Sequence, residues 1–241
     1  MVFNDFDITE FYRQSRGRMV QRILRPLIRE WWDNTGGLNV LGYGYTRPYL
    51  NIFAKDKPAR TVMLMNTHHQ PAPWPERGEN MLAICDDRLV PLETQRFDRI
   101  LMIHALETAE LPRRLLAEMW RILEGNGRMI LVVPNRSGIW SRAEHTPFGQ
   151  GHPYSLTQLR HSLAQSGFQI ERYQRAIYPP PSRSRIIISF APFIENIARR
   201  VCPAFGGVMV VEVSKQLFSP TPLKNNAPRQ IPKGAPAALK P

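Results

Sequence analysis

Apolar residues in this chain gather into short, nearly continuous runs, set apart by stretches with helical spacing. Leu38-Asn39-Val40-Leu41, Thr61-Val62-Met63-Leu64-Met65, Met81-Leu82-Ala83-Ile84-Cys85, Phe97–Ile103 and Arg128-Met129-Ile130-Leu131-Val132-Val133 each read as a strand. Runs without polar alternation mark strands covered on both faces, the habit of a parallel sheet. Residues 168–173 and 207–215 add a sixth and a seventh strand. Between them, residues 111–123 place Leu115, Leu116, Met119, Ile122 and Leu123 on one helical face, with Gly125 just past the end. Residues 157–166 read as a further helix, closed by Gly167.

The N-terminal stretch follows a different rhythm. Asp7-Ile8-Thr9-Glu10 has the spacing of a capping box. The doublets Met19-Val20, Ile23-Leu24, Leu27-Ile28 and Trp31-Trp32 then recur every four residues, a wide helical stripe of the kind that packs on a core. Pro26 falls inside this stripe, so a kink or a second helix is expected there. The organisation that follows is an N-terminal helical segment, 1–35, packed on an α/β domain, 36–218. Residues 219–241 form a Pro-rich basic tail without periodicity, expected to be disordered. Strands alternating with helices predict a doubly wound α/β fold with a mostly parallel sheet.

Composition narrows the function classes. The chain has 241 residues and 43% hydrophobic residues, enough for one domain with its own core. No apolar run approaches the roughly 18–20 residues that span a bilayer, and the first residues lack the pattern of a signal peptide, so a cytoplasmic protein is expected. The 2 cysteines, Cys85 and Cys202, belong to no metal-binding or disulfide pattern and read as buried structural thiols. His68 and His69 are adjacent, which prevents both from chelating one metal from one helix face, and no metal site is expected. The formal net charge of +12 admits nucleic acid or an anionic membrane as partner, but no RNA-binding signature or basic-aromatic stripe accompanies it.

In such a sheet, ligands bind at the carboxyl ends of the strands beside the switch point. The first strand runs into Gly42-Tyr43-Gly44 and then Thr46, where glycine lets the backbone turn sharply and approach a ligand. The second ends at Asn66, a hydrogen-bonding side chain without charge. The third ends at Asp86-Asp87, able to accept from an exocyclic amine. The fourth ends at His104-Ala105-Leu106-Glu107, placing His104 and Leu106 at the pocket floor. Beyond the fifth strand, a long polar and aromatic loop offers Asn135, Arg136, Trp140, His152 and Tyr154 as acceptor-side residues, with Arg136 suited to an anionic group.

These segments resemble the class I S-adenosylmethionine (SAM) methyltransferases of type 11. Residues 97–107 are similar to that family's fourth-strand motif, and residues 118–128 to its helix-to-strand motif. Asp86 followed by Leu89, Pro91 and Leu92 is similar to its third-strand motif. The resemblance covers roughly residues 38–175. It implies a seven-stranded sheet with strand seven antiparallel, SAM as methyl donor and an unidentified methyl acceptor. The glycine loop is degenerate: Thr46 stands where the family has its third glycine, and Pro48 implies a late start for the next helix. Asn66 replaces the acid that usually ends strand two. Three other readings compete: a non-catalytic methyltransferase-like scaffold, a nucleic-acid-binding relative, and a nicotinamide-binding domain. The last would want G-x-G-x-x-G and an acid after strand two, and both are absent.

Overall fold

A computed structural model of the protein describes residues 7–66, 73–75 and 78–216. It opens with helices α1 (Ile8–Arg13) and α2 (Ser15–Trp31). There follow β1 (Asn39–Gly44), α3 (Arg47–Leu50), a 3-10 turn (Asn51–Asp56), β2 (Arg60–Asn66), β3 (Leu82–Cys85) and β4 (Phe97–Ile103). The second half comprises α4 (Pro112–Ile122), β5 (Leu123–Pro134), α5 (Leu156–Gln165), β6 (Phe168–Ala176), α6 (Arg185–Ser189), α7 (Ala191–Val201) and β7 (Val208–Lys215). The tail 219–241 and the pair His68 and His69 lie outside the described residues.

The strands form one sheet of 7 strands in the order β3-β2-β1-β4-β5-β7-β6. The first five are parallel, and β7 inserts antiparallel between β5 and β6. The expected doubly wound, mostly parallel sheet is therefore present, including the antiparallel seventh strand. Alternation along each central strand sends its side chains to both faces. Val40, Met63, Leu101, Ile130 and Val210 join the cluster covered by α1 and α2, whereas Leu41, Leu64, Ile100, Met102, Leu131 and Val211 join that covered by α4 and α5. With apolar neighbours on both sides, neither face selects for polar residues.

The N-terminal helices break at a different place from the one the proline suggests. α2 runs unbroken through Pro26, while the chain is extended at Gln14 (φ −75°, ψ 166°) between α1 and α2. A proline inside a helix costs about 3 kcal/mol. Met19, Val20, Leu24, Leu27, Ile28 and Trp31 are buried along α2, and each such side chain returns roughly 1.5–3 kcal/mol, so packing overrides the local penalty. The break at Gln14 folds α1 back across the start of α2. Gly17 permits this, since a Cβ there would stand 2.3 Å from the Phe11 carbonyl oxygen. Asp7 caps α1 as expected, accepting from the backbone N–H of Thr9 (2.8 Å) and Glu10 (3.1 Å). Of the two cysteines, Cys85 is buried, but Cys202 is exposed beyond α7, where no element covers it.

Asp56 fastens the end of α2 to the start of the sheet. Its carboxylate accepts two bonds from the Arg29 guanidinium (2.5 and 2.8 Å) and two from the Thr35 N–H and hydroxyl (both 2.9 Å). The Arg29 hydrogen bonds hold the Asp56 carboxyl well below the usual carboxylate range, and those from Thr35 lower it further. A carboxyl depressed on folding stabilises fully above its unfolded value near pH 4 and loses that contribution as pH falls toward the folded value. Asp56→Asn should destabilise the protein by about 1–2 kcal/mol at neutral pH, allowing for the solvent around Arg29. The gap from wild type, read as thermal melts from pH 7 to pH 2, should narrow below about pH 4; a gap unchanged over that range would contradict this account.

Candidate active site

The sheet reverses its winding between β1 and β4, and their carboxyl ends lie side by side. Gly42, Tyr43 and Gly44 are the last three residues of β1 rather than a loop beyond it, Gly42 pairing with both Met63 and Leu101. Gly44 adopts φ +79°, and a Cβ there would stand 2.3 Å from the Ile103 carbonyl oxygen. That oxygen accepts from the Tyr45 N–H at 2.8 Å, turning the chain out of the sheet. The helix after the turn starts at once, at Arg47, because Pro48 falls in its first turn, where no N–H is needed.

Around this seam lie polar side chains that the sheet does not use. Thr46 is fully buried and its hydroxyl has no hydrogen-bond partner; Asn66, closing β2, is buried with both amide atoms unpartnered. After β4, His104 takes the left-handed conformation (φ +55°), and its Nε2 lies 2.8 Å from the Tyr12 hydroxyl. On the other side of the ring, Nδ1 is 3.3 Å from Glu107 Oε1, and neither Glu107 oxygen is hydrogen-bonded. The Tyr12 hydroxyl also accepts from Tyr49 (3.2 Å), and its ring stacks on Tyr45 with centroids 5.2 Å apart. Phe148 packs against His104 at 4.6 Å. Burial, then the neighbouring Tyr49, with Glu107 adding, pushes the Tyr12 hydroxyl well above the ordinary tyrosine range. Burial and then Glu107 push Tyr154 up to about 12. Both phenols therefore remain hydrogen-bond donors across physiological pH.

The remaining candidates divide. The Tyr43 side chain turns to the α4 face, where its hydroxyl donates to Asp87 at 2.5 Å. Asp86 is exposed and accepts from the Arg88 N–H of its own turn. Leu106 is buried in the α4 cluster, and its carbonyl accepts from the Tyr154 hydroxyl at 3.4 Å. Asn135 donates to the Ala204 and Gly206 carbonyls (3.0 and 2.7 Å), and Trp140, wholly buried, donates to Pro179 O (2.8 Å). Arg136 and His152 are exposed on the same loop. Sequence reasoning passed over Tyr12 and Tyr49 and reached Glu107 only as the end of the stretch after strand four; Tyr12 meets His104 across 92 residues of chain, a pairing without local signal.

Comparison with known proteins shows what this geometry is similar to. Residues 32–131 match the type 11 family model described as a methyltransferase domain. Over that segment the chain is similar to the class I SAM-dependent methyltransferases, a family whose cofactor is SAM. It is 27% identical over 136 residues to the malonyl-[acyl-carrier protein] O-methyltransferase of Alcanivorax borkumensis, a match over 52% of this chain but only 43% of that protein. A SAM-dependent methyltransferase from Aquifex aeolicus superposes with a TM-score of 0.58 at 14% identity, over 87% of this chain and 98% of that one. The [4+2]-cyclase SpnF superposes at 0.56 with 18% identity, over 82% and 81%. Likeness at such identity speaks for the fold alone, and SpnF carries by name a different chemistry on it.

The residues present fit the cofactor. The unpartnered Thr46 hydroxyl and Asn66 amide lie at the carboxyl ends of β1 and β2, where hydroxyl groups would satisfy them. The buried Glu107 carboxylate, beside His104 but accepting no hydrogen bond, complements a cationic ligand. The geometry also predicts a cost at the seam. Gly44→Ala combines a left-handed backbone with a backbone collision, and should destabilise the protein by about 2–4 kcal/mol. Chemical denaturation would read this; a loss below about 0.5 kcal/mol, the range of a neutral surface change, would contradict the close approach.

Proposed function

We propose that this protein transfers a methyl group from SAM to an acceptor that enters over the loop 135–154. The observation that carries the reading is that buried polar atoms without hydrogen bonds occur at Thr46, Asn66 and Glu107, each at or just past the carboxyl end of one of β1, β2 and β4. SAM supplies an electrophilic methyl on a sulfonium, so the protein need hold no nucleophile of its own. In this reading Asn66 holds the ribose hydroxyls, Asp87 accepts from the adenine amine, and Thr46 with the β1 turn lines the cofactor. Glu107 faces the positive charge, and His104, held between Tyr12 and Glu107, fixes the floor. The aromatic wall of Phe11, Tyr12, Tyr45 and Phe148 keeps water out, so that catalysis rests on placement and desolvation.

The acceptor is proposed to be anionic, since Arg136 and His152 are the exposed candidates on that loop. The Alcanivorax relative, by its name, acts on malonyl-[acyl-carrier protein]; a carboxylate on a carrier-bound acid is the acceptor class this favours. The same proposal places the protein in the cytoplasm and divides it into a helical cover (1–35), a catalytic domain (36–218) and a tail (219–241).

A second reading, a binding module that no longer uses SAM, is favoured by the uncharged Asn66 and by the Thr46 hydroxyl, which stands 2.2 Å from where a Gly42 Cβ would lie. One titration separates the two. S-adenosylhomocysteine should bind the wild-type protein calorimetrically, and Asn66→Ala should weaken it about tenfold, the effect of roughly one hydrogen bond. Absence of binding at millimolar ligand would select the second reading. Arg136→Ala should raise KM for an acidic acceptor by about tenfold or more while leaving S-adenosylhomocysteine affinity unchanged; an unchanged KM would remove Arg136 from the acceptor side.

A further inference from the structure

The connection from β6 to β7 carries a surface that the site does not use. β6 runs parallel to β5 and β7 returns antiparallel, so this connection leaves from and comes back to the carboxyl edge of the sheet. Its two helices run on from one another at Phe190, whose N–H donates to Ile186 O and whose carbonyl accepts from Ile194 N, both at 3.0 Å. The inward side of α7 presents Ala191 and Glu195, and the Glu195 carboxylate accepts from the N–H groups of Ile177 (3.1 Å) and Tyr178 (2.8 Å). The outward side is apolar. Ile186, Phe190, Phe193, Ile197 and Val201 follow one another at intervals of four, three, four and four residues, a single helical stripe, and each is between 46% and 72% exposed.

Charge completes the pattern. Arg183, Arg185, Arg199 and Arg200 are exposed in the same segment, and the one acid within 181–205, Glu195, is buried. Among the described residues none of these four arginines has an ion-pair partner. Single exposed apolar residues are ordinary, but a continuous row of five is not. The row also stands outside the neighbouring cleft between α2 and α7, which Met19, Ile23, Leu27 and Glu195 line and to whose rim Arg199 belongs. A protruding row flanked by Arg183, Arg185 and Arg200 suits a soft, anionic, apolar medium better than a shaped protein groove.

We propose that the α6–α7 face docks on an anionic lipid surface. Phe190, Phe193, Ile197 and their neighbours enter the headgroup and acyl boundary, while the arginines stay at headgroup level. Attachment is peripheral, because no helix among the described residues is long and apolar enough to cross a membrane. The formal charge of +12 draws the molecule to such a surface from a distance.

Flotation of the full chain with vesicles tests this. The protein should float with phosphatidylcholine vesicles containing phosphatidylglycerol, float far less with phosphatidylcholine alone, and lose binding as salt rises. The pair Phe193→Ser, Ile197→Ser and the pair Arg185→Glu, Arg200→Glu should each cut partitioning by at least about tenfold, since one basic residue at such a surface is worth roughly fivefold. Both pairs alter exposed positions, so melting temperature and circular dichroism should match wild type. Failure to float with the mixed vesicles overturns the proposal, as does equal floating of either variant pair. A concentration-dependent dimer abolished by Phe193→Ser, without vesicle binding, would assign the face to a second copy. Arginine-dependent binding to an acidic carrier protein, without vesicle binding, would assign it to a protein partner.

Discussion

The contact on which the rest of this structure depends is the approach of β1 to β4 at their carboxyl ends, where Gly44 meets the Ile103 carbonyl. From β1 the sheet grows one way, through β2 to β3; from β4 it grows the other, through β5 to β7. The connections therefore part at this seam and leave a crevice between them. A side chain at position 44 would wedge the two strands apart. With hydrogen at that position, the backbone turns immediately, and Thr46, Asn66, His104 and Glu107 come at or just past the carboxyl ends of three strands. Among the described residues the side-chain polar atoms of Thr46, Asn66 and Glu107 take no hydrogen bond, whereas His104 Nε2 is held by Tyr12.

The parts of the fold that were legible in the sequence are those whose signal is local. Apolar runs without alternation announced the central strands, since burial on both faces leaves no polar position to keep. Asp7 was legible as a cap because capping is decided within three residues. Local rules misled where tertiary packing outweighed them. Pro26 suggested a break that the buried face of α2 overrides, and the true break at Gln14 carries no proline at all. The glycine pair was read in the right place, yet Gly42 and Gly44 belong to a strand, because what they accommodate is a neighbouring strand and the Thr46 side chain.

The site was harder to read than the sheet because residue type does not reveal what a side chain is spent on. Asn135 and Trp140 have the chemistry of a substrate pocket, but their N–H groups go to the Gly206 and Pro179 carbonyls, ordering the very connection that carries α6 and α7. Tyr12 has no local signal, since its partner His104 comes from another layer of the fold. The two surfaces of functional interest are thus physical opposites. One is a set of polar atoms sealed in an apolar frame, and the other a row of apolar side chains set in a cationic frame. They share the carboxyl edge of one sheet.

The docked helix α1 has a consequence for how the site is walled. Six residues make too short a helix to persist in water by itself, because the cost of nucleating it is not recovered over so few hydrogen bonds. Its helical state is therefore a property of contact: Phe11 and Tyr12 hold the coil in shape by resting on Tyr45, Tyr49, His104 and Phe148. Lifting α1 from the crevice and melting it are one event. The order of this wall of the proposed site thus rests on side-chain contact and not on the helix's own few hydrogen bonds.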